Sequence, residues 1–195
     1  MALLRAASSS DLGPIIESER VVLRTPQMTD YPEWAELRAT SRDFLTPWEP
    51  VWSPDELSRA SFRRRIRHYL RDLREDVGYA LFIFAKDTDA LVGGMTLCNV
   101  RRGVTQSCTL GYWIGAAYAR KGYMTSAVSA VTPFIFDSLE LHRMEAACIP
   151  GNIASVRLLE RSGFTREGLA RRYLRINGVW QDHLLYALLD SDARP

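Results

Sequence analysis

The middle third of the chain places the strongest constraint on the fold, because three apolar segments follow one another there with only short polar turns between them. The segments are residues 79–85, 90–98 and 106–114, and the turns are 87–89 and 101–103. Segments of this length, bounded by turn residues, predict consecutive antiparallel strands. The chain is therefore expected to build its core around a sheet with an antiparallel meander in the middle.

Helices and strands alternate after this meander. The spacing of the apolar residues predicts a helix, a strand, a second helix and two further strands, over residues 122–137, 143–149, 152–161, 164–171 and 181–189. An amphipathic helix and a half-buried strand are distinguished here by their periods of 3.6 and 2 residues. Asn177-Gly178, between the last two strands, is a strong signal for a two-residue hairpin turn.

The first third of the chain is predicted to contain more helix than strand. Residues 1–18 are expected to form a polar N-terminal tail, and a first strand and two helices follow, over about 19–25, 30–39 and 54–76. Residues 19–195 fit one domain, because a chain of 195 residues can enclose one core. The prediction is an α/β (α+β) fold with a mixed, mostly antiparallel sheet of about seven strands and about four helices.

Composition and charge exclude several classes of function. The formal net charge is only +2, from 25 basic and 23 acidic residues, which argues against direct DNA binding. No apolar run approaches the roughly 20 residues of a membrane span. Cys98, Cys108 and Cys148 are too sparse for a disulfide framework or a zinc site. We therefore expect a cytoplasmic protein with no metal and no membrane contact.

The predicted helix 54–76 carries an arginine-rich face opposite its apolar face. A solvated helix surface explains such a charge run in most proteins. We therefore predict a solvated face, and a docking surface for RNA or for an acidic partner is the alternative.

A candidate phosphate-binding loop lies between the strand that ends near Ile114 and the helix that follows it. Arg120, Lys121 and Gly122 stand directly before that helix. The unpaired amides at a helix N-terminus, with its partial positive charge, bind phosphate oxygens, and glycine allows a close approach of the backbone. These three residues would equally fit an ordinary turn between a strand and a helix.

The order of several motifs resembles the GCN5-related N-acetyltransferase (GNAT) superfamily over residues 19–190. Residues 119–124, Ala-Arg-Lys-Gly-Tyr-Met, resemble its pyrophosphate motif Q/R-x-x-G-x-G/A, although the first and last positions differ. The methionine at the last position is similar to the RimJ/RimL-type branch, which acetylates the N-termini of ribosomal proteins. Asn152, Ser155 and the Gly163-Phe164 pair match the next segment of that branch, and residues 173–185 match its C-terminal signature.

This resemblance implies that acetyl-CoA is the co-substrate. It implies that backbone groups near Trp113 and Ile114, on a strand that splays away from its neighbour, bind the pantetheine arm and polarise the thioester carbonyl. Asn152 and Ser155 would lie beside the thioester. The amides that would hold the pyrophosphate belong to Arg120, Lys121, Gly122, Tyr123, Met124 and Thr125.

The groups that assist the reaction are less sharply defined by the sequence. Many superfamily members use a tyrosine as proton donor, and the matching position here is Leu159. Ser155 is then the best candidate donor, or else it only supports the start of its helix. Glu145 is the candidate base, acting directly or through a water, and a surface ion pair is the alternative. Asp182 and His183 would position the amine or tie the last hairpin together.

Aromatic residues are the candidates for binding the acceptor, the amine that receives the acetyl group. Trp48 and Trp52, in a proline-rich loop, and Tyr173 are the candidate substrate-binding residues, and for the two tryptophans a cap on the core is the alternative. The resemblance implies transfer to the N-terminal α-amine of a protein, with an alanine-initiated ribosomal protein as the first guess. A small-amine acetyltransferase and a non-catalytic CoA-binding or ribosome-associated module are the alternatives. The sequence leaves monomer and homodimer open.

Overall fold

Eight strands form one mixed sheet within residues 13–193, the part of the chain that the computed structural model describes. The sheet order is β1-β2-β3-β4-β5-β6-β8-β7, and only the β5–β6 pair is parallel. The strands are β1 Ile15–Glu17, β2 Val21–Arg24, β3 Tyr79–Ala85, β4 Leu91–Arg101, β5 Ser107–Ile114, β6 Arg143–Cys148, β7 Thr165–Ile176 and β8 Val179–Leu189.

Helices cover both faces of this sheet. They are α1 Tyr31–Thr40, α2 Arg42–Leu45, α3 Arg59–Arg74, α4 Tyr123–Pro133 and α5 Ile153–Arg161. A π-helical turn, Phe134–Ser138, carries α4 on to the end of its predicted span. The architecture confirms the predicted fold class and the predicted meander, which is formed by β3, β4 and β5.

The sheet has one strand more than the predicted seven. The additional strand, β1, lies inside the segment 1–18 that was predicted to be a tail, so the ordered sheet begins before residue 19. It pairs antiparallel with β2, and Ile16 is buried opposite Leu23. Three residues are too few to show a period, which explains why the sequence did not indicate a strand. Residues 1–12 of the predicted tail lie outside the described residues.

Alternate residues of the strands contribute to two separate apolar clusters. Leu81 and Ile83 of β3 point into the large core beneath α4 and α5, whereas Phe82 points to the other face. There it packs with Trp34 of α1 and Phe62 of α3. The sheet is therefore buried on both faces, with α1 and α3 on one side and α4 and α5 on the other.

Helix α3 begins later than predicted, at Arg59 rather than at residue 54. Ser58 has an extended backbone, and its side-chain oxygen accepts a hydrogen bond of 3.0 Å from the backbone N–H of Ser61. Ser58 is therefore the N-cap, and the helix begins at the next residue, Arg59. Six arginines of α3 are exposed, as expected for a solvated face: Arg59, Arg63, Arg64, Arg67, Arg71 and Arg74.

The final hairpin forms at the predicted turn. Asn177 and Gly178 both have positive φ, 44° and 79°, which is the backbone of a type I′ turn. Further along the hairpin, Asp182 accepts a 2.8 Å hydrogen bond from the backbone N–H of Arg172 in a bulge of β7. Asp182 thus ties the two strands together. Within residues 13–193, none of the helices has the length and apolar character that a membrane crossing requires.

We expect Phe62→Ala to destabilise the protein strongly, because this fully buried ring joins α3 to α1 and the sheet. Its centroid lies 4.7 Å from that of Trp34 and 6.3 Å from that of Phe82. Removing such a ring costs about 3–5 kcal/mol of unfolding free energy. Urea unfolding measures the loss.

Val104→Ala is the matched control, because Val104 is fully exposed in the turn between β4 and β5. Its free energy of unfolding should stay within about 0.5 kcal/mol of the parent value. A loss below about 1 kcal/mol for Phe62→Ala would show that α3 is held by other contacts.

Candidate active site

The parallel strands β5 and β6 stay together over three residue pairs only. Ser107 lies opposite Arg143, and Thr109, the last paired residue of β5, lies opposite Glu145. Beyond Thr109, β5 continues to pair with β4 on its other side as far as Ile114. Within the described chain, the edge of β5 over 110–114 therefore has no strand beside it. An unpaired strand edge offers backbone N–H and C=O groups to an extended ligand.

The predicted splay is thus present, and it contains the backbone of Trp113 and Ile114. The opening lies at the carboxyl ends of two parallel strands, where ligands of open α/β sheets bind. Helix α4 follows β5 and helix α5 follows β6. Both helices therefore begin close to the opening, where the first amides of α4 have no side-chain cap, whereas Asn152 caps the Ser155 amide of α5.

The loop before α4 has the backbone of an anion-binding turn. Arg120 and Gly122 both adopt positive φ, 60° and 86°, and Gly122 is the N-cap of α4 without a side-chain hydrogen bond to the first amides. A Cβ atom at Gly122 would lie 2.6 Å from a terminal guanidinium nitrogen of Arg20. The positive φ favours glycine at this position, and an added Cβ would also require the exposed Arg20 side chain to move.

The side chains of this loop divide between core and solvent. Tyr123 and Met124 are buried in the core, so that they can contribute to a ligand site only through their backbone amides. Arg120, Lys121 and Thr125 are exposed. Free amides at a helix start with cations beside them suit a diphosphate group. The residues present therefore fit the diphosphate of a CoA molecule.

Asn152 and Ser155 meet at the start of α5. The side-chain Oδ1 of Asn152 accepts a 3.1 Å hydrogen bond from the backbone N–H of Ser155 and caps the helix. The Ser155 hydroxyl is nearly buried and lies 2.5 Å from the hydroxyl of Tyr112 on β5. Leu159, at the position where many relatives carry a donor tyrosine, is completely buried in the core. Sequence reasoning did not identify Tyr112, because its partner lies far along the chain.

Glu145 lies at the closed end of the splay and makes an ion pair. Its carboxylate accepts a 2.8 Å hydrogen bond from Nε of Arg143, and the same guanidinium also binds Glu167. This contact with Arg143 lowers the pKa of Glu167. The role of Glu145 as a base stays a prediction, and the surface ion pair that was its alternative is formed.

A cavity of about 410 Å³ opens on the face of the sheet that carries α1 and α3. Gly111 and Trp113 of the splayed strand form one wall, and Trp52 of the proline-rich loop forms another. Of the three predicted acceptor residues, Trp52 is the one that lines this cavity. Trp48 lies on a short helical turn and is more than a third exposed, and Tyr173 packs its ring against that of His183 at 5.8 Å.

A buried ion pair holds the loop that carries Trp52. The Arg38 guanidinium is almost fully buried and donates two hydrogen bonds, of 2.8 and 2.6 Å, to the carboxylate of Glu49. The indole N–H of Trp52 donates to the same carboxylate at 2.7 Å, and the Arg38 guanidinium lies 4.4 Å from the centre of the Trp52 ring. The backbone N–H of Asn177 donates to the Glu49 carbonyl at 2.8 Å, which joins the loop to the last hairpin.

A second acid in the cavity wall is paired in the same way. Glu56 is hydrogen-bonded by the guanidinium of Arg65 from α3. The cavity therefore contains two carboxylates and two guanidinium groups, with no net charge among these four. Neither Arg38 nor Glu49 was predicted, since nothing in the local sequence indicates that they meet.

Comparisons with known proteins agree with this geometry. The family model described as the acetyltransferase (GNAT) domain matches residues 20–165. The Bacillus subtilis protein named Probable N-acetyltransferase YjcK is 36% identical over 91% of this chain and 98% of its own length. The Escherichia coli [ribosomal protein uS5]-alanine N-acetyltransferase is 33% identical over 92% of this chain and 93% of its own length.

One similar solved structure contains a bound CoA derivative. Mycobacterium smegmatis RimJ in complex with CoA-disulfide superposes with a TM-score of 0.83 at 31% identity, over 91% of this chain and 86% of that chain. The chain therefore belongs to the GNAT family, within its RimJ type, and is an acetyl-CoA-dependent N-acetyltransferase.

Proposed function

We propose that this enzyme acetylates the N-terminal α-amine of a protein, with an alanine-initiated ribosomal protein in the cytoplasm as the first candidate. The observation that carries the acceptor class is the 33% identity, over 92% of the chain, with the Escherichia coli enzyme named for the alanine of ribosomal protein uS5. Three cysteines with free thiols, Cys98, Cys108 and Cys148, fit a reducing compartment.

The position of the cavity supports transfer of the acetyl group from a donor bound at the open edge of β5 to an amine in the cavity. Gly111 and Trp113 line the cavity, and they belong to the part of β5 whose other edge is open. An acyl group bound along that edge would lie next to the cavity. We propose that the amides from Arg120 to Thr125 hold the diphosphate and that backbone groups at Trp113 and Ile114 bind the pantetheine arm and polarise the thioester carbonyl.

The charges around the site favour an amine that loses its proton easily. Glu49, Glu56 and Glu145 are each bound by an arginine. Each of these carboxylates therefore already accepts a hydrogen bond from a guanidinium group. An N-terminal α-amine has a pKa of about 7.7–8.0, against about 10.4 for lysine, so it needs far less help. This difference supports an N-terminal acceptor over a lysine side chain.

The acceptor assignment predicts a clear preference among amines. We expect release of CoA thiol from acetyl-CoA to be fastest with a short peptide that begins with a free alanine. The same peptide with its N-terminus already acetylated is the control and should give only the background rate. A panel that varies the first residue, with spermidine as a small polyamine, completes the screen, and mass spectrometry locates the acetyl group.

Turnover with spermidine but with none of the peptides would make the enzyme a small-amine acetyltransferase and would refute the proposed acceptor. Acetylation of an internal lysine in an N-terminally blocked peptide would refute it as well. Tight acetyl-CoA binding without release of thiol by any amine would support the non-catalytic module instead.

The Gly122→Ala variant should bind CoA at least tenfold more weakly, because the added Cβ would strain the left-handed backbone of the loop proposed to hold the diphosphate and would force the Arg20 side chain to move. Calorimetry of CoA binding measures the loss. Gly103→Ala is the matched control, since Gly103 also has a positive φ, 65°, but has no atom within 4 Å of the added Cβ.

Both variants should lose a similar amount of stability, about 1 kcal/mol, since each forces alanine into a left-handed backbone. Equal CoA affinity in the two variants would mean that the Gly122 loop does not hold the diphosphate. Thermal unfolding of both proteins shows whether the strain is matched.

We expect Trp52→Ala to raise the KM for the acceptor peptide about tenfold, because this ring forms a cavity wall and its N–H holds the carboxylate of Glu49. The affinity for acetyl-CoA should stay within twofold of the parent value. Trp180→Ala removes an indole that is 58% exposed on β8 and should leave both constants unchanged. An unchanged acceptor KM in Trp52→Ala would exclude the cavity as the acceptor site.

Trp48→Ala tests the second tryptophan that was predicted to bind the acceptor. Trp48 precedes the ion-paired Glu49 by one residue, and it is more exposed than Trp52. A rise in acceptor KM for Trp48→Ala would extend the binding surface beyond the cavity toward the outer part of the loop.

A further inference from the structure

The positive charge of this chain is concentrated on one helix. Helix α3, Arg59–Arg74, contains seven arginines and a single acid, Asp72, so its formal net charge is +6. The whole chain has a net charge of only +2, and the residues outside α3 therefore carry −4 together. The near balance of the whole chain thus conceals a strongly basic surface, and such a surface attracts an anionic partner.

Four of these arginines form one stripe along α3: Arg63, Arg67, Arg71 and Arg74. They follow one another at spacings of four, four and three residues, which places them within a quarter of a turn around the helix axis. All four side chains are exposed. At 1.5 Å per residue the stripe is about 16 Å long, enough to follow several successive phosphates of a nucleic acid strand.

The stripe is largely without counter-ions, whereas the arginines beside it are paired. Arg64 and Arg65 each bind an acid from the segment that precedes the helix. Arg71 lies 3.4 Å from Asp72, and the other three arginines of the stripe form no ion pair with any residue of 13–193. Like charges at these spacings repel one another and destabilise a helix. A polyanion bound along the stripe would relieve that repulsion.

The surroundings of the stripe favour a nucleic acid over an acidic protein. Protein interfaces have an apolar core from which charged residues are depleted. Among the exposed large apolar side chains of the described chain, none belongs to α3. An acidic protein docked here would therefore meet charge without an apolar surface to bury. A phosphate backbone needs only cations, and the planar guanidinium group of arginine matches the geometry of phosphate oxygens.

The stripe lies on the side of α3 that faces away from the cavity. Arg65 and Tyr69 of the same helix line the cavity. Arg65 is two residues from Arg63 and two from Arg67, which corresponds to about 200° around the helix axis in either direction. A ligand bound along the stripe would therefore leave the cavity open to the N-terminus of a peptide.

We propose that the α3 stripe is a docking surface for RNA, and that it binds the phosphate backbone without reading the base sequence. The inference rests on the proposed acceptor class, because ribosomal proteins are bound to RNA in their particle. RNA held on one side of α3 would keep the enzyme beside its acceptor while the cavity on the other side takes the N-terminus. Without RNA the stripe is a solvated face, in agreement with the sequence prediction.

Fluorescence anisotropy of a labelled RNA duplex of about 20 base pairs tests the stripe directly, without acetyl-CoA or an acceptor. Four phosphate contacts predict that the logarithm of the affinity falls with the logarithm of the salt concentration at a slope of about −3 to −4. The triple variant Arg63→Gln, Arg67→Gln and Arg74→Gln should have a slope of about −1 and bind at least tenfold more weakly at about 50 mM salt. A parent enzyme that does not bind the duplex at this salt concentration would overturn the proposal.

A second triple variant, Arg161→Gln, Arg166→Gln and Arg171→Gln, is the matched control. It removes the same charge from exposed arginines of α5 and β7. Its affinity for the duplex should fall by less than about threefold, because exposed charges at a distance are screened by salt. An equal loss of affinity in both triple variants would attribute binding to the overall charge of the chain and would refute the docking surface. Thermal unfolding checks that both variants are folded.

Two competitors identify the partner. Poly-glutamate should displace the labelled duplex at least tenfold less effectively than unlabelled RNA at the same concentration of charge, because carboxylates on a flexible chain lack the charge density of a phosphate backbone. Equal displacement by poly-glutamate would assign the surface to an acidic protein instead. A DNA duplex of the same sequence should bind no more tightly than the RNA duplex, and tighter binding of DNA would contradict the assignment to RNA.

Acetylation of the free alanine peptide separates this inference from the proposed function. The α3 triple variant should keep the kcat and the peptide KM of the parent within about twofold, since the stripe and the cavity lie on opposite sides of the helix. Added RNA should leave peptide turnover unchanged, and competitive inhibition by RNA would place it in the active site and defeat the proposal. RNA binding without acetylation of any peptide would refute only the acceptor assignment, whereas acetylation without RNA binding would refute only this inference.

Discussion

The early end of the β5–β6 ladder is the constraint on which the rest of the site depends. Three residue pairs hold the two halves of the sheet together, and the strands then part. Because β5 and β6 are parallel, both carboxyl ends face the same opening, and the helix that follows each strand begins there. One change in strand pairing thus supplies an unpaired backbone edge and brings two helix N-termini to it.

The charges near this opening follow a consistent arrangement. Arginines engage the acids of the cavity wall, whereas Arg120 and Lys121 are exposed beside the amides of α4. Positive charge is therefore available where a diphosphate would bind, and it is neutralised where an amine would enter. This arrangement leaves exposed positive charge at the start of α4 and balanced charge in the cavity wall.

Local patterns in the sequence were sufficient to predict most of the helices and strands. The apolar run of β3, the capped start of α5 and the Asn177-Gly178 turn each depend on residues close together in the chain, and the structure has all three. Strand β1 was missed because three residues show no period. The Tyr112–Ser155 and Arg38–Glu49 contacts were missed because a sequence does not state which distant side chains meet. The motif resemblance located the loop and α5, but it could not supply these pairings.

The hydrogen bond from Asn177 to the carbonyl of Glu49 has a consequence for how such enzymes diverge. It fastens the tip of the last hairpin to the loop that carries Trp52, so two segments from opposite ends of the chain share one rim. Substitutions in either segment can reshape that rim without altering the residues that pair β5 with β6. Divergence between such enzymes can thus be confined to this rim.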